Sequence, residues 1–121
     1  MAKKRENTTA EKTTVVEDRR NQEEDGAPEV LLERREEFLL ETRRFDPDTP
    51  PVQIGLTLGM TKNLGDYQSA RMDIHVTASC LPHEMEEYFE RIAAWIEKKI
   101  GQEIRDIDER FVESGWRRRR R

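Results

Sequence analysis

Asp73 and His75 come nearest to acid–base chemistry in this sequence, because a carboxylate beside an imidazole can orient it as a general base. No nucleophile stands at a recognisable spacing from this pair. We therefore interpret His75 as a solvent-exposed residue on a polar face. The sequence predicts a protein that is not an enzyme, with no catalytic residue and no cofactor.

Cys80 and His83 have the spacing of half a metal site. With a nearby glutamate they could be drawn as zinc ligands, but the sequence offers no second ligand pair. Cys80 also ends the apolar positions of a predicted strand, which favours a small buried hydrophobic residue. A single cysteine forms no internal disulfide, so we predict a cytoplasmic protein without a metal site.

The C-terminus carries the densest run of one charge. Trp116 precedes five arginines, and an aromatic ring can stack on a base while arginines neutralise phosphates. This tail predicts binding to single-stranded nucleic acid without sequence specificity. Two alternatives stay open: the tail could tether the chain to an anionic membrane, or fold back on its own acidic helix. The residues of the run are Arg117, Arg118, Arg119, Arg120 and Arg121.

Composition limits the structure that can position these groups. The chain has 121 residues, of which 34% are hydrophobic and 40% are charged, and its formal net charge is −4. Such a balance leaves room for one small domain flanked by solvated segments. No apolar run approaches the roughly 18 residues that a membrane-spanning helix needs, so we expect no transmembrane segment.

The segment 52–79 alternates between apolar and polar residues over two stretches. Ile54, Ile74 and Val76 are examples of the apolar series, which occupies the even positions. Successive side chains of a strand point to opposite faces, so this alternation predicts a β-hairpin with one apolar and one polar face. Residues 62–67 lie between the stretches, and their Asn, Gly and Asp tolerate the positive φ angles of a turn.

The polar face of this hairpin is a candidate surface for binding a partner. Glycines within a strand often mark the close approach of another backbone or a ligand. The alternative is that these glycines serve only the geometry of a twisted or bulged hairpin. The predicted partner-binding residues are Gly55 and Gly59 on the face, with Lys62, Asn63, Tyr67 and Arg71 at its rim.

The segments around the hairpin are predicted from composition and period. Residues 1–26 contain only two large aliphatic residues, so we expect disorder over 1–27. An amphipathic helix is predicted over 28–46, a hairpin–helix core over 47–113 and a basic tail over 114–121. The C-terminal helix begins at Pro82 and has apolar residues every three or four positions, and Gly101 either bends it or ends it.

The predicted fold is therefore α+β, with an antiparallel hairpin packed on a long C-terminal helix and accompanied by an N-terminal helix. A two-stranded sheet is marginal alone, and its edges invite pairing with another chain. We expect a homodimer in which two hairpins form a four-stranded sheet. The alternative is a monomer that the N-terminal helix closes.

Gly55-Leu-Thr-Leu and Asn63-Leu-Gly-Asp-Tyr-Gln-Ser-Ala-Arg71 resemble a group of small uncharacterised phage and prophage proteins. The shared feature is a strand, an N-L-G-[N/D]-Y-x-S turn, a strand and an acidic helix, which covers 52–96 here. This resemblance implies no activity, but it favours a viral or mobile-element accessory protein in the host cytoplasm. We expect nucleic-acid binding through the tail. The alternative is a regulator or inhibitor that binds a host or viral protein through the hairpin face or edge.

Overall fold

The computed structural model describes residues 3–20, 28–65 and 67–113, and these form an α+β fold. One antiparallel sheet of four strands, in the order β2-β1-β4-β3, packs one face against a C-terminal helix. The elements are β1 (Lys4–Asp18), β2 (Glu29–Phe45), β3 (Val52–Gly65), β4 (Gln68–Cys80), a 3₁₀ turn (Pro82–Glu84) and α1 (Met85–Glu113).

The predicted hairpin is present as β3 and β4, with Leu56 opposite Val76 and Leu58 opposite Ile74. The even positions of β4 are buried beneath α1, as their alternation predicts. Gly65 has φ +87° in the connecting turn, and its N–H donates to Asn63 Oδ1 at 2.8 Å. The turn therefore uses a residue that adopts positive φ without a steric cost.

The N-terminal helix predicted over 28–46 is wrong, because Glu29–Phe45 is a strand. Its apolar residues occur in neighbouring pairs, and this spacing fits a helix as well as a strand. In the sheet the two members of such a pair face opposite ways, so Leu40 packs on the core while Leu39 is exposed. Pairing with β1 along the whole strand decides between the two structures.

The disorder predicted for residues 1–27 is also wrong over Lys4–Asp18, which is the strand β1. β1 lies inside the sheet and pairs with both β2 and β4. Its β-branched residues suit a strand, and Thr14 and Val16 are fully buried against the helix side. Tertiary pairing here stabilises a segment whose composition alone predicts no fold.

β1 and β2 supply the two strands that we expected from a second copy. The four-stranded sheet is therefore complete within one chain, and the structure gives no support to the expected dimer. The long strands also reach the C-terminal part of α1, where Ile107 packs against Val16, Leu64 and Met72.

α1 is one continuous helix through Gly101. A Cβ placed on Gly101 would meet nothing closer than the Arg105 guanidinium at 3.8 Å, so no tight packing requires a glycine there. The apolar series of the helix packs on the sheet from Tyr88 to Ile107. Within the described residues no helix has the length and apolar character needed to cross a membrane. Among the side chains of α1 that the structure describes, the buried ones are Tyr88, Ile92, Ile96, Ile100, Glu103 and Ile107.

Candidate functional site

β2 and β3 form the two edges of the sheet, and they differ in charge. β2 has nine charged residues among its 17, whereas β3 has one, Lys62, among its 14. The unpaired N–H and C=O groups of an edge strand can pair with another chain, and charged side chains are one means of preventing this. β3 lacks that protection.

Part of the charge on β2 faces α1 and binds it. Glu103 of α1 is fully buried and accepts hydrogen bonds from the Thr14 hydroxyl and the Arg34 guanidinium. Lys12 Nζ lies 3.4 Å from the same carboxylate and 3.3 Å from that of Glu36. This cluster of five residues, the Glu103 cluster, ties β1 and β2 to the middle of the helix.

The Glu103 cluster keeps its central carboxylate ionised. Burial by itself raises the pKa of Glu103, but the Thr14 hydrogen bond and the charges of Lys12 and Arg34 outweigh it and hold that pKa below its ordinary value. A charge without these partners would be costly at such depth. The carboxylate is fully buried and contacted on both oxygens, which is the environment of a structural anion.

A second group of contacts ties β2 to the start of α1. Arg43 Nη1 donates to Glu84 Oε1 and to the Tyr88 hydroxyl, both at 2.9 Å. The Tyr88 hydroxyl in turn donates to the Glu41 carboxylate at 3.1 Å. Glu84 also accepts from the Leu81 N–H at 2.8 Å, and the Arg43 hydrogen bond holds the pKa of Glu84 below its usual value.

β3 presents exposed apolar side chains on the helix side of the sheet. Leu58 and Met60 are each 42% exposed, although the alternation places them on the apolar face. A groove of about 160 Å³ lies between this edge and α1. Its lining is apolar except at one rim and consists of Leu56, Thr57, Leu58, Ala93, Ile96 and Glu97.

Glu97 is the charged residue of this groove, and it forms no ion pair with any other described residue. It is exposed on α1, one turn from Ala93. On the β2 side of the helix, by contrast, Glu84 and Glu103 are both paired with arginines of β2. The groove thus combines an unpaired strand edge, exposed aliphatic side chains and a carboxylate at its rim.

The opposite face of the sheet is covered by polar contacts between its own side chains. Arg71 forms an ion pair with Asp73 at 3.0 Å, and a Cβ on Gly59 would collide with both of these side chains. Gly59 therefore has an intramolecular reason to be a glycine. Gly55 does not, because a Cβ there would meet the His75 ring at an ordinary 3.6 Å.

The hypothetical Asp73–His75 base is not assembled. The two ring nitrogens of His75 lie 2.6 Å from the Thr57 hydroxyl and 3.1 Å from the Thr77 hydroxyl, while Asp73 is held by Arg71. A shallow cleft of about 630 Å³ adjoins His75 where β1 and β2 change register. Both ring nitrogens are engaged by hydroxyl groups, and Asp73 does not orient the ring as the sequence suggested.

The residues predicted for partner binding do not form one surface. Lys62 points to the helix side and binds Asp108 at 2.7 Å, whereas Arg71 lies on the opposite face. Asn63 is engaged in the turn, and Tyr67 is exposed beside it with a positive φ of 65°. Gly55 and Gly59 share the face of Arg71 but not that of the apolar groove.

The predicted nucleic-acid site lies outside the described residues, because Trp116 and Arg117–Arg121 follow the end of α1. The described part of the chain has a formal net charge of −5, which does not favour contact with phosphates. Cys80 is buried, and burial raises the pKa of its thiol. Among the described residues no group of three or more His, Cys, Asp or Glu is placed to hold a metal ion.

Sequence reasoning missed Leu58, Met60 and Glu97. The alternation assigned the first two to the core, and only the position of α1 over the sheet leaves them exposed. The one available signal was the lack of charge along the strand. Comparisons with protein-family models, with curated proteins and with solved structures find no match to this chain.

Proposed function

We propose that this protein is a non-catalytic binding module that adds an extended segment of another protein to the β3 edge. The observation that carries the proposal is the contrast between the edges, one with nine charged residues and the other with a single lysine. In strand addition, main-chain hydrogen bonds give affinity and pockets for alternate side chains give specificity. β3 offers both an edge and an adjoining groove.

The contacts of Glu103 and His75 support a regulator or inhibitor better than an enzyme. The buried Glu103 is contacted by its partners on both oxygens, and His75 is held between two threonines. Glu103 is fully buried, and Asp73 pairs with Arg71 instead of orienting His75 as a base. Strand addition would instead use the β3 edge in the conformation that the structure already has.

The proposal is tested with a displayed library of random 12-residue peptides, selected on the full chain. Recovered peptides are then measured by biolayer interferometry on the wild type and on Leu58→Lys. A lysine on the open edge interferes with strand pairing, so we expect affinity to fall about tenfold or more. Leu39→Lys on the β2 edge is the matched control, because Leu39 is 65% exposed and the substitution is the same.

Hydrogen exchange identifies the mode of binding. Strand addition must slow the exchange of alternate backbone amides along Val52–Gly65, because each new main-chain hydrogen bond protects one donor. Peptides that bind equally to both lysine variants, with no protection in β3, would place the interaction elsewhere and overturn the proposal.

Nucleic-acid binding through the tail remains a separate prediction. Fluorescence anisotropy with a labelled single-stranded oligonucleotide, at low and high salt, compares the full chain with a chain that ends at Gly115. Binding that needs the tail and weakens steeply with salt would support it, because counterion release governs such contacts. Absence of binding at low salt would contradict it.

A further inference from the structure

We infer that the groove between β3 and α1 selects an extended segment with aliphatic or aromatic side chains at alternate positions and a basic side chain beside Glu97. This inference rests on the proposed function, since it names the chemistry of the segment that the β3 edge would bind. It follows from the shape, polarity and charge of one surface.

The alternate positions follow from the geometry of a strand. A segment paired with β3 points every second side chain toward the helix side, where Leu58 and Met60 are exposed. Cross-strand neighbours on one face approach to about 4.5–5.5 Å between Cβ atoms, so aliphatic or aromatic partners would bury these two residues. Polar side chains suit the other face, which near Gly55 and Gly59 is polar and exposed.

The volume of the groove limits what enters it. About 160 Å³ is close to the size of an apolar cavity that accommodates a benzene molecule. One branched aliphatic or aromatic side chain therefore fills the space above Ala93 and Ile96. The remaining apolar side chains of the segment would lie along the edge outside the groove.

The basic side chain follows from Glu97. This carboxylate stands at the rim of the groove without an ion-pair partner among the described residues, and the described part of the chain is acidic overall. A lysine or arginine can lay its aliphatic stem along Leu58 and place its charge at Glu97. A second copy of this chain fits less well, because β3 pairing with Leu58 opposite Leu58 would bring two Glu97 carboxylates to the same seam.

The charge preference is tested by repeating the 12-residue peptide selection on Glu97→Lys. On the wild type we expect alternating apolar residues accompanied by Lys or Arg, and on the variant a shift from basic to acidic residues. Individual wild-type peptides should lose about fivefold in affinity on the variant, and less at high salt, as for other exposed ion pairs. Glu87→Lys makes the same change of net charge in the first turn of α1 and should alter neither result.

The apolar preference is tested by a neighbouring pair of helix residues. Ala93→Leu fills the groove and should remove the preference for one large apolar side chain, with about tenfold weaker binding of the peptides that carry it. Ala94→Leu adds the same atoms at an exposed position and should bind like the wild type.

The two proposals fail in different ways. Peptides that are sensitive to Leu58→Lys but show no alternation, or no response to Glu97→Lys, would overturn the assigned chemistry and leave strand addition standing. Peptides that bind Leu58→Lys with the same affinity as the wild type would overturn strand addition itself. Sedimentation equilibrium tests whether a second copy of this chain occupies the edge. If the wild type is a dimer that Leu58→Lys dissociates, the edge binds a second copy, and the inference of a basic segment is overturned.

Discussion

The two edge strands of this sheet solve the problem of exposed main-chain groups differently. β2 alternates charged residues on both faces, so Arg34 and Glu36 point toward the helix while Arg35 and Glu37 point to solvent. β3 has Gly55 and Gly59 on one face and the exposed side chains of Leu58 and Met60 on the other. One edge is protected and bound to the helix, and the other is left accessible.

This difference teaches that charge on an edge strand can do two things at once: it discourages pairing with another chain, and it binds the strand to neighbouring elements. On its inner face, Arg34 meets the buried Glu103 and Arg43 meets Glu84 at the start of α1. On its outer face, Arg35 pairs with Glu11 of the neighbouring strand. β3 has one comparable contact, from Lys62 to Asp108. The ion pairs between the sheet and its helix therefore come mainly from the edge that is not offered for binding.

The largest expected effect comes from removing the centre of the Glu103 cluster. Glu103→Gln should lower the free energy of unfolding by about 3–5 kcal/mol, because it leaves Lys12 and Arg34 at the helix interface without their buried anion. Urea unfolding followed by circular dichroism measures the change. The backbone amides of β2 should also exchange their hydrogens faster, relative to those of β3, because β2 is then held less firmly to the helix.

Glu97→Gln is the control on the same helix, since its carboxylate is exposed and unpaired among the described residues. It should change stability by no more than about 0.5 kcal/mol. Equal effects of the two substitutions would show that the Glu103 cluster does not secure β2.

A smaller effect is expected on the dependence of stability on pH. The pKa of Glu103 is below its ordinary value of 4.5, so the native state binds fewer protons than the unfolded state around that pH. Its contribution is complete above that value and is lost as the pH falls through the lowered pKa. Stability should therefore decline on acidification more steeply in the wild type than in Glu103→Gln. Chemical unfolding between about pH 3 and pH 7 measures both slopes, and parallel slopes would contradict the assignment.

The β3–β4 hairpin could be predicted from the sequence because its alternation is local. The even positions from Ala70 to Ala78 are apolar without exception, and a period of two has no helical interpretation. The continuity of α1 is a different matter. A glycine lowers helix propensity, and packing on both sides of Gly101 outweighs that loss.

β1 and β2 could not be predicted in the same way, because the core side of each strand mixes apolar with charged or polar residues. Lys12 and Thr14 face inward and are matched by Glu36 and Glu103, which lie 20 or more residues away in the sequence. An alternation rule that counts only apolar residues does not detect such a strand. The Thr and Val pairs of β1, with their β-branched side chains, are the signal that favours a strand over disorder.

The smallest expected effect distinguishes the two glycines of β3. Alanine in a strand interior is favoured over glycine by about 0.5–1 kcal/mol, and Gly55→Ala meets only ordinary contacts, so it should stabilise the protein by about that amount. Gly59→Ala should lose this gain, because its methyl group displaces the exposed Arg71–Asp73 ion pair. The difference in thermal unfolding midpoint between the two variants measures that contact directly.

The same two variants decide which face of β3 meets a partner. Both place a methyl group on the face opposite the groove, where strand addition needs no close approach. Peptide affinity should therefore stay within about twofold of the wild type for each. A large loss of affinity in Gly55→Ala, whose stability is not reduced, would move the interaction to the polar face of the sheet. In that case the open edge would be only a neighbour of the binding surface.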